Sequence, residues 1–202
     1  FWKAVQHYTK ENQYKCVETQ DLKKSIEDVT GQNLDWFFKQ WLYEAGYPKY
    51  DVKWNYTQRN KSVKIKIEQV QNGNLFKMPV KIKIDKEDHI IWVEDKEVVF
   101  EISALKRPEL VIFNSGLMVP SELTFHKSIS EWVLQLETAP HILDRIAAIN
   151  VLKEKKGRRV VELALLKAAE SDTFWGVRRE AVYALAAHKS KKYANELMSI
   201  SK

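Results

Sequence analysis

Apolar residues in the first 46 positions recur at helical spacing. Leu22, Ile26 and Val29 share one face of a segment opened by Thr19 and closed by Gly31. Thr19 is expected to cap the free N–H groups, Asp21 suits the positive helix end, and glycine accepts the left-handed stop. Asn33 then opens a second helix in which Leu34, Phe37, Phe38, Trp41, Leu42 and Ala45 spread over one broad apolar face. Gly46 and Pro48 end it. Upstream, Trp2, Val5 and Tyr8 mark the tail of a further helix. Three such pieces cannot close a core. They are expected to need a body outside this chain, with Trp41 buried against the region that follows. Left uncovered, residues 1–46 are expected to self-associate.

From Tyr47 to about Lys127 the period falls to two. Val52, Trp54 and Tyr56 alternate with polar residues, as do Val63, Ile65 and Ile67, then Val80, Ile82 and Ile84. Asn72-Gly73 reads as a hairpin turn between two of these runs. Acidic clusters at Asp85–Asp88 and Glu94–Glu97 punctuate strands at Ile90–Val93 and Val98–Ile102, and a last strand covers Leu110–Phe113. About seven short strands with lysine-rich outer faces predict a β-sandwich.

Residues 128–202 return to helix and contain a repeat. Arg145, Ala148, Ile149 and Leu152 recur 33 positions later as Arg178, Ala181, Val182 and Leu185. Val160 to Ala168 supply the helix between them, and a last helix is expected around Tyr193–Ile200. The string from Val177 to Leu185, VRREAVYAL, resembles the second helices of HEAT-type repeats, which stack α-hairpins into a solenoid. The fold class is therefore multi-domain α+β. It comprises a helical lead-in (1–46), a sandwich (47–127) and an incomplete HEAT-like solenoid (128–202).

The net charge of +6 raises the question of nucleic acid. Lys and Arg against Asp and Glu number 6 and 7 in residues 1–46, 14 and 11 in 47–127, and 13 and 9 in 128–202. An excess this thin, interleaved with acids, argues against a nucleic-acid surface. The densest basic run, Lys153 to Arg159, straddles Gly157 and reads as a solvated turn. No apolar stretch is long enough for a membrane helix, and Phe1-Trp2-Lys3 is neither a leader nor a start. The chain is expected to begin inside a longer protein and to stop before the solenoid does. The single cysteine, Cys16, is expected to be a half-buried thiol on a helix; with no leader in view it tips the compartment towards the cytoplasm.

Catalytic patterns are missing. The histidines at 7, 89, 126, 141 and 188 include no HExxH pair, and neither GxSxG, a P-loop nor a dinucleotide fingerprint occurs. Asp85/Asp88 and Glu94/Asp95 lack the spacing of a calcium loop. Trp36, Trp41, Trp54, Trp92 and Trp175 hold apolar positions of their elements and are expected to pack. No catalytic, cofactor-binding or metal-ligating residue is assigned.

One resemblance orders these pieces. Thr19-Gln20-Asp21-Leu22, then Phe37-Phe38-Lys39-Gln40-Trp41 and Gly46-Tyr47-Pro48, resemble the end of the catalytic domain in M1-family zinc aminopeptidases. Glu68-Gln69 and Phe76-Lys77-Met78-Pro79-Val80 look like strands of that family's small sandwich, and helical repeats come next there too. The resemblance implies a parent that removes N-terminal residues from peptides, with a zinc-bound water attacking the carbonyl and a glutamate as general base. Zinc and every working residue would precede Phe1. The peptidase domain of the same parent is the implied partner, and peptide the implied substrate. An aminopeptidase-like scaffold without zinc, as in a transcription initiation factor subunit, has the same order of modules and is the alternative.

Overall fold

Residues 1–188 are described by a computed structural model, so the helix expected around Tyr193–Ile200 lies outside the described residues. Helices and two sheets give a mixed α+β chain with a helical C-terminal part. It divides into two compact units, Phe1–Tyr47 and Pro48–Lys202.

The first unit holds α1 (Trp2–Glu11), α2 (Thr19–Thr30) and a short α3 (Asp35–Phe38) that runs on as a π-helical turn over Lys39–Tyr43. Glu18, not Thr19, caps α2: its backbone N–H donates to the Asp21 carboxylate at 2.8 Å, and Thr19 is the first helical residue. Gly31 ends α2 in the left-handed region (φ 68°), and its N–H donates to the Glu27 carbonyl. An ion pair between Lys23 and Asp35 ties α2 to α3 and holds the Asp35 carboxyl below its ordinary range. The π-helical turn overturns one expectation. An extra residue per turn rotates the later side chains around the axis, so the expected apolar face splits. Phe38 and Gln40 are buried, Trp41 is only half-buried, and Leu42 and Tyr43 are exposed. Cys16 also departs from expectation: it is exposed in the connection between α1 and α2, where Tyr14 adopts a positive φ.

In the second unit, β1 (Lys49–Thr57), β2 (Ser62–Gln69), β5 (Glu97–Ser103) and β7 (Glu122–His126) form one sheet in the order β5-β2-β1-β7. The strands β3 (Met78–Ile84), β4 (Glu87–Val93) and β6 (Val111–Phe113) form the other, in the order β4-β3-β6. Period-two alternation explains both. Val63, Ile65 and Ile67 of β2 and Val80 and Ile82 of β3 are fully buried. The lysines between them point outward, Lys64 to Glu101 and Lys66 to Glu97 on β5. Tyr50 meets Phe113 edge to face at 5.2 Å, and burial pushes its hydroxyl pKa up. The strand β6 is buried throughout, which is why it reads as an unbroken apolar run: Ile112 meets Leu134 and Ala139 from the helical side.

Asn72-Gly73 is not a hairpin. The strand β2 pairs with β1 and β5, and β3 with β4 and β6, so the segment between them crosses from one sheet to the other. Buried Gln69 sets this crossing. Its amide nitrogen donates to the carbonyls of Phe76 (2.8 Å) and Asp95 (3.2 Å), and its oxygen accepts the Phe76 N–H at 2.9 Å. The seventh strand, β7, runs parallel to β1 from Lys49↔Glu122 to Lys53↔His126, a pairing that no local turn signal announces.

The helices that follow are α4 (Ile129–Thr138), α5 (Ile142–Leu152), α6 (Arg159–Ser171) and α7 (Trp175–Ala187). The 33-residue repeat has a structural counterpart. Arg145 donates to the carbonyls of Ala139 and Pro140, and Arg178 to those of Asp172 and Thr173. Arg145 also makes a two-point contact with the Asp172 carboxylate, at 2.8 and 3.0 Å, joining the first hairpin to the loop of the second. Ala148 and Ala181, the small residues of the repeat, are both fully buried.

Replacing Gln69 with leucine should destabilise the second unit by about 3 kcal/mol, because a buried amide with three backbone partners is lost at roughly 1–3 kcal/mol per affected group. Urea denaturation followed by circular dichroism measures it; a loss within error of zero would show that the crossing does not depend on Gln69.

Candidate functional site

The side chains with catalytic potential are scattered. His7 lies 3.9 Å from Asp28, His89 3.7 Å from Glu87, and His126 2.9 Å from Asp51. His141 faces Lys81 at 3.5 Å, and His188 faces the Lys153 carbonyl at 2.9 Å. Each thus has its own neighbour on a different element. The acidic turns are likewise occupied by protein donors. Asp85 accepts the N–H groups of Glu109 and Leu110, both at 2.9 Å. The hydrogen bond from Lys83, with Lys81 nearby, holds Asp88 below the usual carboxylate range. Glu94 pairs with Lys77 at 2.7 Å. Among the described residues no three His, Cys, Asp or Glu side chains gather closely enough to hold a metal ion.

Two other features stand out. The first is a polar cluster where the sandwich meets the helices. Lys127, between β7 and α4, donates to the Val111 carbonyl of β6 at 2.8 Å and to the Gln135 amide oxygen of α4 at 2.5 Å. Its nitrogen lies 4.4 Å from the centre of the Trp132 ring and 5.1 Å from that of Phe125. Gln135 in turn donates to the backbone carbonyl of Asp144 on α5 at 2.8 Å. The Asp144 carboxylate accepts the Ser115 hydroxyl and the Gly116 N–H, both at 2.8 Å, from the loop after β6. Burying an ammonium costs several kcal/mol, more than the ~2 kcal/mol a desolvated aromatic face returns. Burial accordingly pushes the Lys127 pKa down to about 7, against the opposing pull of Glu131 and Asp144. In the sequence this residue is one more lysine near a strand end; only the fold brings the two rings and two oxygens around it.

The second feature is an apolar surface on the first unit. Only Ala4, Ser25, Phe38 and Gln40 among residues 1–47 are buried. Phe1 (80% exposed), Trp2 (75%), Leu42 (57%) and Tyr43 (61%) face solvent, and Phe37 and Val29 are also exposed. Amphipathic helices that leave their large apolar residues open have not found the surface they are patterned for.

Neither a family model nor a curated protein sequence matches the chain. Among solved structures it is similar to part of Legionella pneumophila aminopeptidase A, crystallised in complex with aspartic acid, with a TM-score of 0.79 and 18% sequence identity. The likeness covers 98% of this chain and 28% of that one, so the chain spans little more than a quarter of the length of the aminopeptidase. At this identity what is shared is the fold: the chain has an aminopeptidase-like scaffold.

The Asp144 carboxylate is the buried anchor of the polar cluster. Asp144→Ala should cost about 3 kcal/mol, since hydrogen bonds to a charged acceptor contribute roughly 1.5–3 kcal/mol each, and Asp144→Asn should recover part of that loss. Thermal melts of both variants decide it; an alanine variant as stable as the parent would remove Asp144 from the junction.

Proposed function

We propose that this chain is a non-catalytic portion of a zinc-dependent aminopeptidase of the M1 type. On this reading residues 1–46 are the last helices of its peptidase domain, residues 47–127 a sandwich spacer, and residues 128–202 the start of a HEAT-like helical domain. The parent would release N-terminal residues from peptides, and this chain would support and partly enclose the peptide chamber. The observation that carries the reading is the uncovered apolar face of residues 1–47, in a chain whose fold matches 28% of an aminopeptidase. The rest of such an enzyme is the natural cover for that face. The M1 assignment itself rests on the resemblance of Thr19–Leu22, Phe37–Trp41 and Gly46–Pro48.

Zinc does not fit the residues present. Among the described residues no three His, Cys, Asp or Glu side chains converge, so no step of hydrolysis is assigned to this chain. Its contribution is mechanical: burial of an apolar face, and a spacer between peptidase domain and helical domain.

The purified chain is expected to bind no stoichiometric zinc and to leave amino-acid anilides intact. The longer protein is expected to carry HExxH and a downstream glutamate before Phe1 and to cleave those substrates. Elemental analysis and an anilide assay on both test this. One zinc per chain, or turnover above blank by residues 1–202 alone, would overturn it. A longer protein without HExxH and without activity would replace it with the zinc-free scaffold.

A further inference from the structure

The cluster around Lys127 contains a feature that a merely structural lysine does not need. Both of its hydrogen-bond acceptors, the Val111 carbonyl and the Gln135 amide, are neutral oxygens. Gln135 cannot turn to offer anything else, because its nitrogen is committed to the Asp144 carbonyl. The charged groups that act on Lys127 are Glu131 of α4 and Asp144 of α5. Neither makes a hydrogen bond to the Lys127 nitrogen. Glu131 accepts the Ser128 N–H and hydroxyl on Oε2, its buried Oε1 makes no hydrogen bond and lies 3.7 Å from Arg107, and Asp144 holds Ser115 and Gly116. From β6 comes only a backbone carbonyl, and from β7 the Phe125 ring. Two acceptors match the two N–H groups of a neutral amine. For the third N–H of an ammonium the Trp132 and Phe125 ring faces are what the contacts offer, and they return less than its desolvation costs.

We propose that this cluster is a proton-sensitive joint, which holds the end of the sandwich firmly to α4 and α5 while the Lys127 amine is neutral and loosens when the amine is charged. The direction follows from linkage. Burial lowers the folded pKa to about 7 from the ordinary lysine value of 10.5, so the opened state binds more protons in between. Stability of the joint therefore rises with pH across that window, and is lowest below it. The amine lies where β6, β7, α4 and α5 meet, so the elements released first are the loop after β6 and the α4–α5 hairpin. The hydrogen bonds and ring contacts of Lys127 go to β6, β7 and α4.

Two measurements on the full chain test this. In a carbon-13 NMR titration of lysine side chains, the Lys127 Cε resonance, assigned by its loss in Lys127→Met, should move with a midpoint near 7; an amine still charged at about pH 9 would overturn the inference. In hydrogen exchange corrected for intrinsic rates, peptides covering 110–116 and 129–145 should lose protection roughly tenfold between about pH 8.5 and about pH 6. Those of α6 and α7 should not. In Lys127→Met the pH effect should vanish. Equal protection at both pH values, or a loss that persists in Lys127→Met, would overturn the joint. Should that variant fail to fold, Lys127→Gln serves as the control, and Lys127 can be assigned through its contact with the Trp132 ring.

Discussion

An amphipathic helix is stable in water only if its apolar stripe is covered, and short helices depend on that cover for most of their stability. Residues 1–47 supply three helical pieces and almost no cover. Of their large apolar residues only Phe38 is buried, and the other buried residues are Ala4 and the polar Ser25 and Gln40. Leu42 and Tyr43 in the π-helical turn at Lys39–Tyr43 are exposed as well. What the unit lacks is opposing surface.

The second unit meets the same requirement from its own residues. Two sheets bury each other's inner faces, and β6 is covered on its far side by α4. Polar links then join what the apolar core cannot orient: Gln69 sets the crossing between sheets, Lys127, Gln135 and Asp144 bind sandwich to helices, and Arg145 with Asp172 binds hairpin to hairpin. Gln69, Gln135 and Asp144 are buried and Lys127, Arg145 and Asp172 half-buried, and their several partners make the geometry specific as well as stable. The sandwich and the helices after it accordingly form one compact unit.

Much of this was legible from periodicity. The helices α2 and α4–α7 and the strands β1–β5 follow the change of period from 3.6 to 2 and back, and Gly31 stops α2 as its position predicts. The misses at Asn72-Gly73, β7 and Lys127 share one cause, which is non-local pairing. Asn72-Gly73 has the local chemistry of a hairpin, yet Gln69 directs the chain across the sandwich. The strand β7 exists because β1 lies beside it, 73 residues away at Lys49↔Glu122. Trp41 was placed by an α-helical wheel that a π-helical turn does not obey. Lys127 carried no signal at all, since its partners come from β6, β7 and α4.

The central claim is that residues 1–47 present an uncovered face while the rest of the chain is self-sufficient. Sedimentation of the whole chain beside a version beginning at Tyr47 tests it most directly. The whole chain should show concentration-dependent association, and the shorter version should be a folded monomer. Two equally monomeric species would contradict the account, because the helices would then have found full cover within the chain.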